Sequence, residues 1–109
     1  MTQTQAYIVT KYDHTLMTES TVGVAFDKAA AAEAIEFAWA QLEAEEIEID
    51  PEELIEDWRE ELVSKGVSPE EAARLTPPPA LVPEARAEAA RQLRERYSIR
   101  ASYPVRVFA

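Results

Sequence analysis

The fold is decided by residues 97–108, whose sequence is YSIRASYPVRVF. Apolar and polar residues alternate along most of this stretch, which is the period of a β-strand that packs one face against a core. Pro104 lies within the run and predicts an edge, a bulge or a bend at that point. Because a strand is not stable alone, this one must pair with strands formed elsewhere in the chain.

The partner strands are predicted near the N-terminus. Residues 6–12 are rich in aromatic and β-branched types, and residues 19–26 alternate between two faces. The polar residues 13–18 lie between them, so the two runs predict a hairpin. Gly23 lies inside the second run and indicates a bulge or a close backbone approach.

Helices are predicted between the hairpin and the last strand. Asp27 is the N-cap of a long helix from residue 28 to about residue 46. Asp50 and Pro51 begin a second helix, and Gly66 supplies its stop signal.

The same capping pattern repeats at Ser68, which begins a short third helix that ends near residue 76. Pro83 opens a last helix that runs to about residue 96. The order predicts one α+β domain over residues 1–109, with a three-stranded, mainly antiparallel sheet. The hairpin and the C-terminal strand form this sheet, and three to four helices are inserted between strands 2 and 3.

Acidic residues are concentrated in the middle of the chain. The formal net charge is −10, and eleven carboxylates fall between Glu43 and Glu61, where Arg59 is the one base. On the second helix the acids form two rows with a four-residue spacing, so neighbours in a row are about 6 Å apart. We call this set the acidic ridge, and its residues are the candidate partner-binding residues: Glu52, Glu53, Glu56, Asp57, Glu60 and Glu61.

A dense and ordered negative surface is typical of a protein that binds a positively charged partner. The alternative interpretation is a solvated face, with its charge offset by the arginines near the C-terminus, for which pairing with the acidic helix is favoured over a phosphate site. Direct nucleic-acid binding is disfavoured by the net charge of −10.

Composition argues against the common catalytic and cofactor sites. The chain has no cysteine and two glycines, which excludes thiolate metal sites and glycine-rich phosphate loops. The ridge carboxylates point outward from one helix and do not converge on a common point, so we expect no metal. We also expect no cofactor and no enzymatic activity. No apolar run approaches the roughly 20 residues of a membrane span, and the absence of cysteine fits a cytoplasmic location.

In size, acidity and lack of a catalytic motif, the chain resembles small phage-encoded inhibitors, including anti-CRISPR and other DNA-mimic proteins. Its Ala, Glu and Arg enrichment is also typical of a GC-rich bacterial or phage genome, or of a thermophile. The resemblance is one of composition, and no family motif is present. It implies that the acidic ridge occupies the basic nucleic-acid-binding surface of a host or defence protein.

Two other functions stay open at this point. The first is a homodimeric structural or adaptor subunit, in which acidity serves solubility and aromatic sheet residues such as Tyr7, Tyr103 and Phe108 make the contact. The second is a small ligand-binding domain or enzyme that uses carboxylates near His14, the single histidine.

Overall fold

The computed structural model describes residues 3–108 and the side chains of residues 4–107. It confirms the α+β class, with four helices and a four-stranded antiparallel sheet. In chain order the elements are β1 (Gln3–Asp13), β2 (Thr18–Ala25), α1 (Lys28–Glu46), α2 (Pro51–Ser64), α3 (Pro69–Arg74), α4 (Leu81–Arg96), β3 (Tyr97–Ala101) and β4 (Val105–Phe108).

The chain divides into two compact units. One comprises the chain up to Glu46 together with the part from Arg91 onward, and the other comprises residues 47–90. We call them the sheet unit and the helical unit, after the elements that they contain. That they form a single domain over residues 1–109 stays a prediction.

Strand β1 is the centre of the sheet. It pairs with β2 through residues 7–13, with β3 through residues 9–13 and with β4 through residues 3–6, each time antiparallel. The hairpin and its pairing with the C-terminal stretch are therefore as predicted. The sheet has four strands instead of three because the predicted last strand is divided in two.

The division occurs at residues 102–104, and Ser102 holds it in place. The Ser102 N–H donates to the Ile8 carbonyl at 2.8 Å, and the Ser102 hydroxyl accepts from the Ile8 N–H at 3.0 Å. Pro104 has no N–H to donate to a ladder. The pairing resumes at Val105 with its register shifted, which is the interruption that Pro104 predicts.

A β-bulge interrupts the pairing of β1 with β2. Val9 pairs with Gly23, but Thr10 pairs with Thr21, so Val22 is the extra residue. The bulge predicted at Gly23 is thus present beside it. A bulge bends its strand and increases the local twist.

The core of the sheet unit lies between α1 and one face of the sheet. Val9 and Ile99 are buried on that face, and Leu42 is buried on α1. Full burial of such a side chain contributes about 1.5–3 kcal/mol. Val24, which pairs with Ile8 and points to the opposite face, is 55% exposed.

A buried ion pair fixes the end of β1 to the end of α4. Asp13 is 6% exposed, and its carboxylate accepts from the Arg96 guanidinium at 3.1 and 3.3 Å. The same carboxylate also accepts the Thr15 and Leu16 N–H groups of the hairpin turn. These hydrogen bonds, led by the one from Arg96, lower the pKa of the Asp13 carboxyl.

The ends of α2 in the helical unit follow the predicted capping pattern. The Asp50 carboxylate accepts the Glu52 N–H at 3.0 Å. At the other end Gly66 has φ 106°, and the Gly66 and Val67 N–H groups donate to the Val63 and Leu62 carbonyls. This is a Schellman motif, in which glycine takes a left-handed conformation that other residues adopt at a cost.

Burial within the helical unit is shallower than the sequence predicts. The apolar stripe of α2 predicts Trp58 in the core and Glu56 on the opposite, exposed side. Trp58 is half-buried, and Glu56 is exposed. Among residues 47–90, Ala72 on α3 is the one fully buried position. The prediction of which side of α2 faces inward is therefore right. The predicted depth of burial is wrong, because within the helical unit α2 packs against the short helix α3.

Candidate functional site

The acidic ridge lies on α2, where all six of its side chains are exposed. The rows predicted from the four-residue spacing run along the helix, because residues four apart share a face. None of the six is drawn into the core. The arrangement is a linear array of carboxylates with solvent around each.

Charge compensation within the helix is slight. Arg59 is the one cation of α2, and its guanidinium is engaged with backbone carbonyls. It donates to the Ala72 carbonyl at 3.2 Å and to the Leu75 carbonyl at 3.4 Å, and so caps the end of α3. The arginine that the sequence placed among the acids therefore serves the packing of α2 on α3 and leaves the ridge negative.

The remaining local offsets are small. Glu52 and Glu53 lie in the first turn of α2, where the helix dipole favours negative charge. Glu61 pairs with Lys65 at 3.0 Å, but both side chains are more than 60% exposed, and such pairs contribute little. Glu56, Asp57 and Glu60 have neither a place in the first turn of α2 nor an ion pair of this kind.

A shallow hollow of about 360 Å³ lies between α2 and α3 beside the ridge. Glu56 and Glu60 stand at its rim, and Val63, Pro69 and Ala73 supply apolar surface. Arg59, whose guanidinium binds the carbonyls of α3, also lines the hollow. A long basic side chain has an apolar stem and a charged head, so it matches this combination of surfaces. The sequence did not reveal the hollow, because it depends on how α3 packs on α2.

Three of the arginines near the C-terminus have partners within the sheet unit. Arg94 lies over the Trp39 ring, with 4.4 Å between the guanidinium carbon and the ring centroid, which is a cation–π contact. Arg91 pairs with Glu95, and Arg96 pairs with Asp13. The sequence missed these partners, because it favoured pairing with the acidic helix.

His14 has a partner that the sequence also missed. Its Nε2 lies 2.7 Å from the Ser98 hydroxyl, with donor and acceptor set by the tautomer of the ring. A histidine beside a serine is the start of a nucleophilic dyad, but a third group must orient the ring. The neighbouring carboxylate of Asp13 is bound to Arg96 and to the turn, so it does not serve that purpose.

Neither a metal centre nor a membrane span is found in the part of the chain that the structure describes. Within residues 3–108, no three His, Cys, Asp or Glu side chains are grouped closely enough to hold a metal ion. No helix in the same range combines the length and apolar character needed to cross a bilayer.

Exposed aromatic side chains of the sheet unit include Phe26 after β2, which is 65% exposed. Tyr103 is 93% exposed in the break between β3 and β4, and Phe37 is 68% exposed on α1. Tyr7, proposed with Tyr103 as a contact residue, is half-buried. The side chain of Phe108, the third residue of that set, lies outside the described residues.

Three comparisons with known proteins found no match. No protein-family model, no curated protein and no solved structure matches it. Function must therefore be argued from the site alone.

Proposed function

We propose that the protein is a small non-enzymatic protein-binding domain whose acidic ridge engages a basic surface of a partner. The observation that carries the proposal is the uncompensated exposure of the ridge. All six carboxylates are exposed, and the arginine within the helix is committed to the carbonyls of α3. If the ridge carboxylates served the stability of the fold, we would expect more of them to form ion pairs.

The partner surface that fits best is one that binds nucleic acid. Carboxylates about 6 Å apart along a helix are spaced comparably to phosphates along a strand. The mechanism is competition, in which the ridge takes the place of the phosphates and inhibits the partner. Long-range attraction between the ridge and a basic groove raises the association rate. As a binder of a nucleic-acid-binding protein, the domain acts in the cytoplasm, without a cofactor and without contacting nucleic acid itself.

The test replaces Glu52, Glu56 and Glu60 by Gln and Asp57 by Asn, which keeps shape and removes four charges. The matched control replaces four exposed glutamates of the sheet unit by Gln: Glu19, Glu33, Glu36 and Glu45. Both variants change the net charge equally. A general effect of acidity therefore appears in both, and a ridge effect appears in the first alone.

The parent and both variants are used to capture proteins from host lysate at low and high salt. Captured proteins are then tested for competition with duplex DNA. We expect the parent and the control to displace DNA from the partner, and the ridge variant to associate much more slowly. Retention of full affinity and salt dependence by the ridge variant would refute the proposal.

A second candidate is a homodimeric structural or adaptor subunit, and the exposed apolar side chains of the sheet favour it. Val105 and Val107 on β4 are about two-fifths exposed, and Val24 on β2 is more than half exposed. An apolar interface of this kind is insensitive to salt. A concentration-dependent dimer in sedimentation that persists at high salt, together with unchanged behaviour of the ridge variant, would establish it.

A further inference from the structure

The connection between α3 and α4 contains three consecutive prolines, Pro77, Pro78 and Pro79. A proline fixes its own φ near about −65°, and it disfavours helical geometry in the residue before it. Pro77 and Pro78 meet both conditions, so their backbone is held in polyproline II geometry. Leu75 already has this geometry, with φ −72° and ψ 138°. We call residues 75–80 the proline segment.

Hydrogen bonds fix the proline segment near both ends. The Arg59 guanidinium donates to the Leu75 carbonyl at 3.4 Å. The Leu81 N–H donates to the Pro78 carbonyl at 3.1 Å, where the chain turns into α4. All of these residues belong to the helical unit. A segment that is fixed in this way loses little conformational freedom when it binds a partner.

Two of the three faces of the proline segment are open to solvent. Polyproline II has three residues per turn, so residues three apart share a face. Leu75 and Pro78 form one face, and Thr76 and Pro79 form the next. Leu75 is 40% exposed and the other three are also exposed, whereas Pro77 on the third face is half-buried. The segment therefore rests on the protein through Pro77 and presents two adjacent rows outward.

The backbone of the segment offers acceptors and few donors. Its three prolines have no N–H, so it cannot add to a β-sheet as an extra strand. Within residues 3–108 the Thr76 and Pro77 carbonyls accept no hydrogen bond. A partner must therefore supply hydrogen-bond donors together with apolar surface. Trp and Tyr combine a flat apolar ring with an N–H or O–H donor.

We propose that the proline segment docks into a groove lined with Trp and Tyr on a partner protein. The rings of Pro78 and Pro79 lie against the aromatic rings, and an indole N–H or phenolic O–H donates to the Pro77 carbonyl. WW and SH3 domains bind proline-rich peptides in polyproline II geometry in such grooves. A six-residue connection is of ordinary length for two helices, and its closure does not call for three prolines.

This contact goes beyond the one proposed for the acidic ridge and does not rest on it. No charged residue lies between Arg74 and Glu84 in the sequence. Binding through the proline segment should therefore depend little on salt, whereas binding through the exposed carboxylates of the ridge weakens as salt screens them. The two contacts can be tested separately for this reason.

The test is a titration of the ¹⁵N-labelled full chain with a purified WW domain and a purified SH3 domain. Because prolines have no amide proton, the reporters are the amides of Leu75, Thr76 and Ala80. We expect saturable chemical-shift changes at these amides with at least one of the domains. They should persist between about 0.1 and 0.5 M NaCl, and a decaproline peptide should reverse them.

Three results of the titration would overturn the proposal. The first is the absence of saturable shifts with both domains. The second is a set of shifts that decaproline does not reverse, or that is confined to α2 and disappears at high salt. The third is the appearance of the same shifts when the concentration of the chain alone is raised, which would assign the segment to contact with a second copy.

Variants separate the proline segment from proline content and from the ridge. Pro78→Ala with Pro79→Ala should weaken domain binding at least about tenfold, which corresponds to about 1.4 kcal/mol. The control, Pro69→Ala with Pro83→Ala, removes two exposed prolines from the first turns of α3 and α4 and should leave the affinity unchanged. The fourfold amide variant of the ridge should also bind the domain as the parent does. Equal loss in the double variant and its control, in samples with dispersed spectra, would contradict the proposal without bearing on the ridge.

Discussion

Removing charge from the acidic ridge should stabilise the protein. The perturbation is the fourfold amide variant, with Gln at 52, 56 and 60 and Asn at 57. In α2 the like-charge neighbours at i,i+4 are 52 with 56, 56 with 60, 53 with 57, and 57 with 61. Each of these four pairs includes at least one substituted position, so the variant removes every one of them while the helix keeps its side-chain volumes.

The magnitude follows from the exposure of the ridge. Each exposed like-charge pair at this spacing costs about 0.2–0.5 kcal/mol, so four pairs cost about 1–2 kcal/mol. Loss of the Glu52 charge from the first turn of α2 removes a favourable dipole interaction of about 0.3–1 kcal/mol. The net expectation is an increase of about 1 kcal/mol in the free energy of unfolding.

Urea denaturation at low ionic strength measures this difference, because urea carries no charge to screen the ridge. Far-UV circular dichroism reports the helices, and the fluorescence of Trp39 and Trp58 reports α1 and α2 together. With a typical slope of about 2 kcal/mol per molar urea, the midpoint should rise by about 0.5 M. In 1 M NaCl, where the Debye length is about 3 Å, the rise should largely disappear.

The opposite result would refute the reasoning about the ridge. If the amide variant loses about 1 kcal/mol or more, the carboxylates have favourable partners within the fold and are kept for stability. If the gain persists unchanged in 1 M NaCl, it does not come from charge repulsion. Either outcome removes the physical basis for regarding the ridge as a surface kept for a partner.

Three further predictions concern the fold. Trp58→Ala should cost about 3–4 kcal/mol in urea unfolding, because most of a side chain that can bury about 150–250 Å² is covered; a cost near zero would mean that the indole is free. Asp13→Asn should weaken the decrease of the free energy of unfolding at acid pH, because the pKa of Asp13 is lowered in the fold. In the wild type the stabilisation by the Asp13 carboxylate is present at neutral pH. It is lost as the pH falls from the ordinary pKa of 3.8 through the lowered pKa of the folded protein. An unchanged dependence of unfolding on pH would exclude a role for its pairing with Arg96. Gly66→Ala should cost about 1–2 kcal/mol because of its positive φ, whereas Gly23→Ala meets no atom within 4 Å and serves as the control; equal effects on thermal unfolding would contradict this assignment.

The parts of the fold that the sequence predicts well depend on local signals. Asp27, Asp50, Ser68 and Gly66 mark helix ends through hydrogen bonds to residues two to four positions away, and each acts as predicted. The hairpin is likewise a contact between neighbours in sequence. The exposure of the ridge follows from helical periodicity, which any sequence reveals once the helix is located.

The parts that the sequence did not predict depend on distant pairs. Ser102 divides the last strand because it binds Ile8, which is 94 positions away. The hydrogen bonds of Asp13 with Arg96 and of His14 with Ser98 join residues that are similarly far apart in the sequence. No local pattern identifies such partners, and the shallow burial of Trp58 depends in the same way on the short helix that packs against it.

The central position of β1 has a consequence for biosynthesis. β1 and β2 leave the ribosome before the helices and can form their hairpin at once, whereas β3 and β4 begin about 70–80 residues after the end of β2. Closing a loop of that length costs about 4 kcal/mol of chain entropy, before the constant term. Until then one edge of β1 has no native strand beside it, and the nascent chain is open to pairing with other strands. The whole helical unit is synthesised after the hairpin and before β3 and β4 are complete, so it can fold before the sheet has all of its strands.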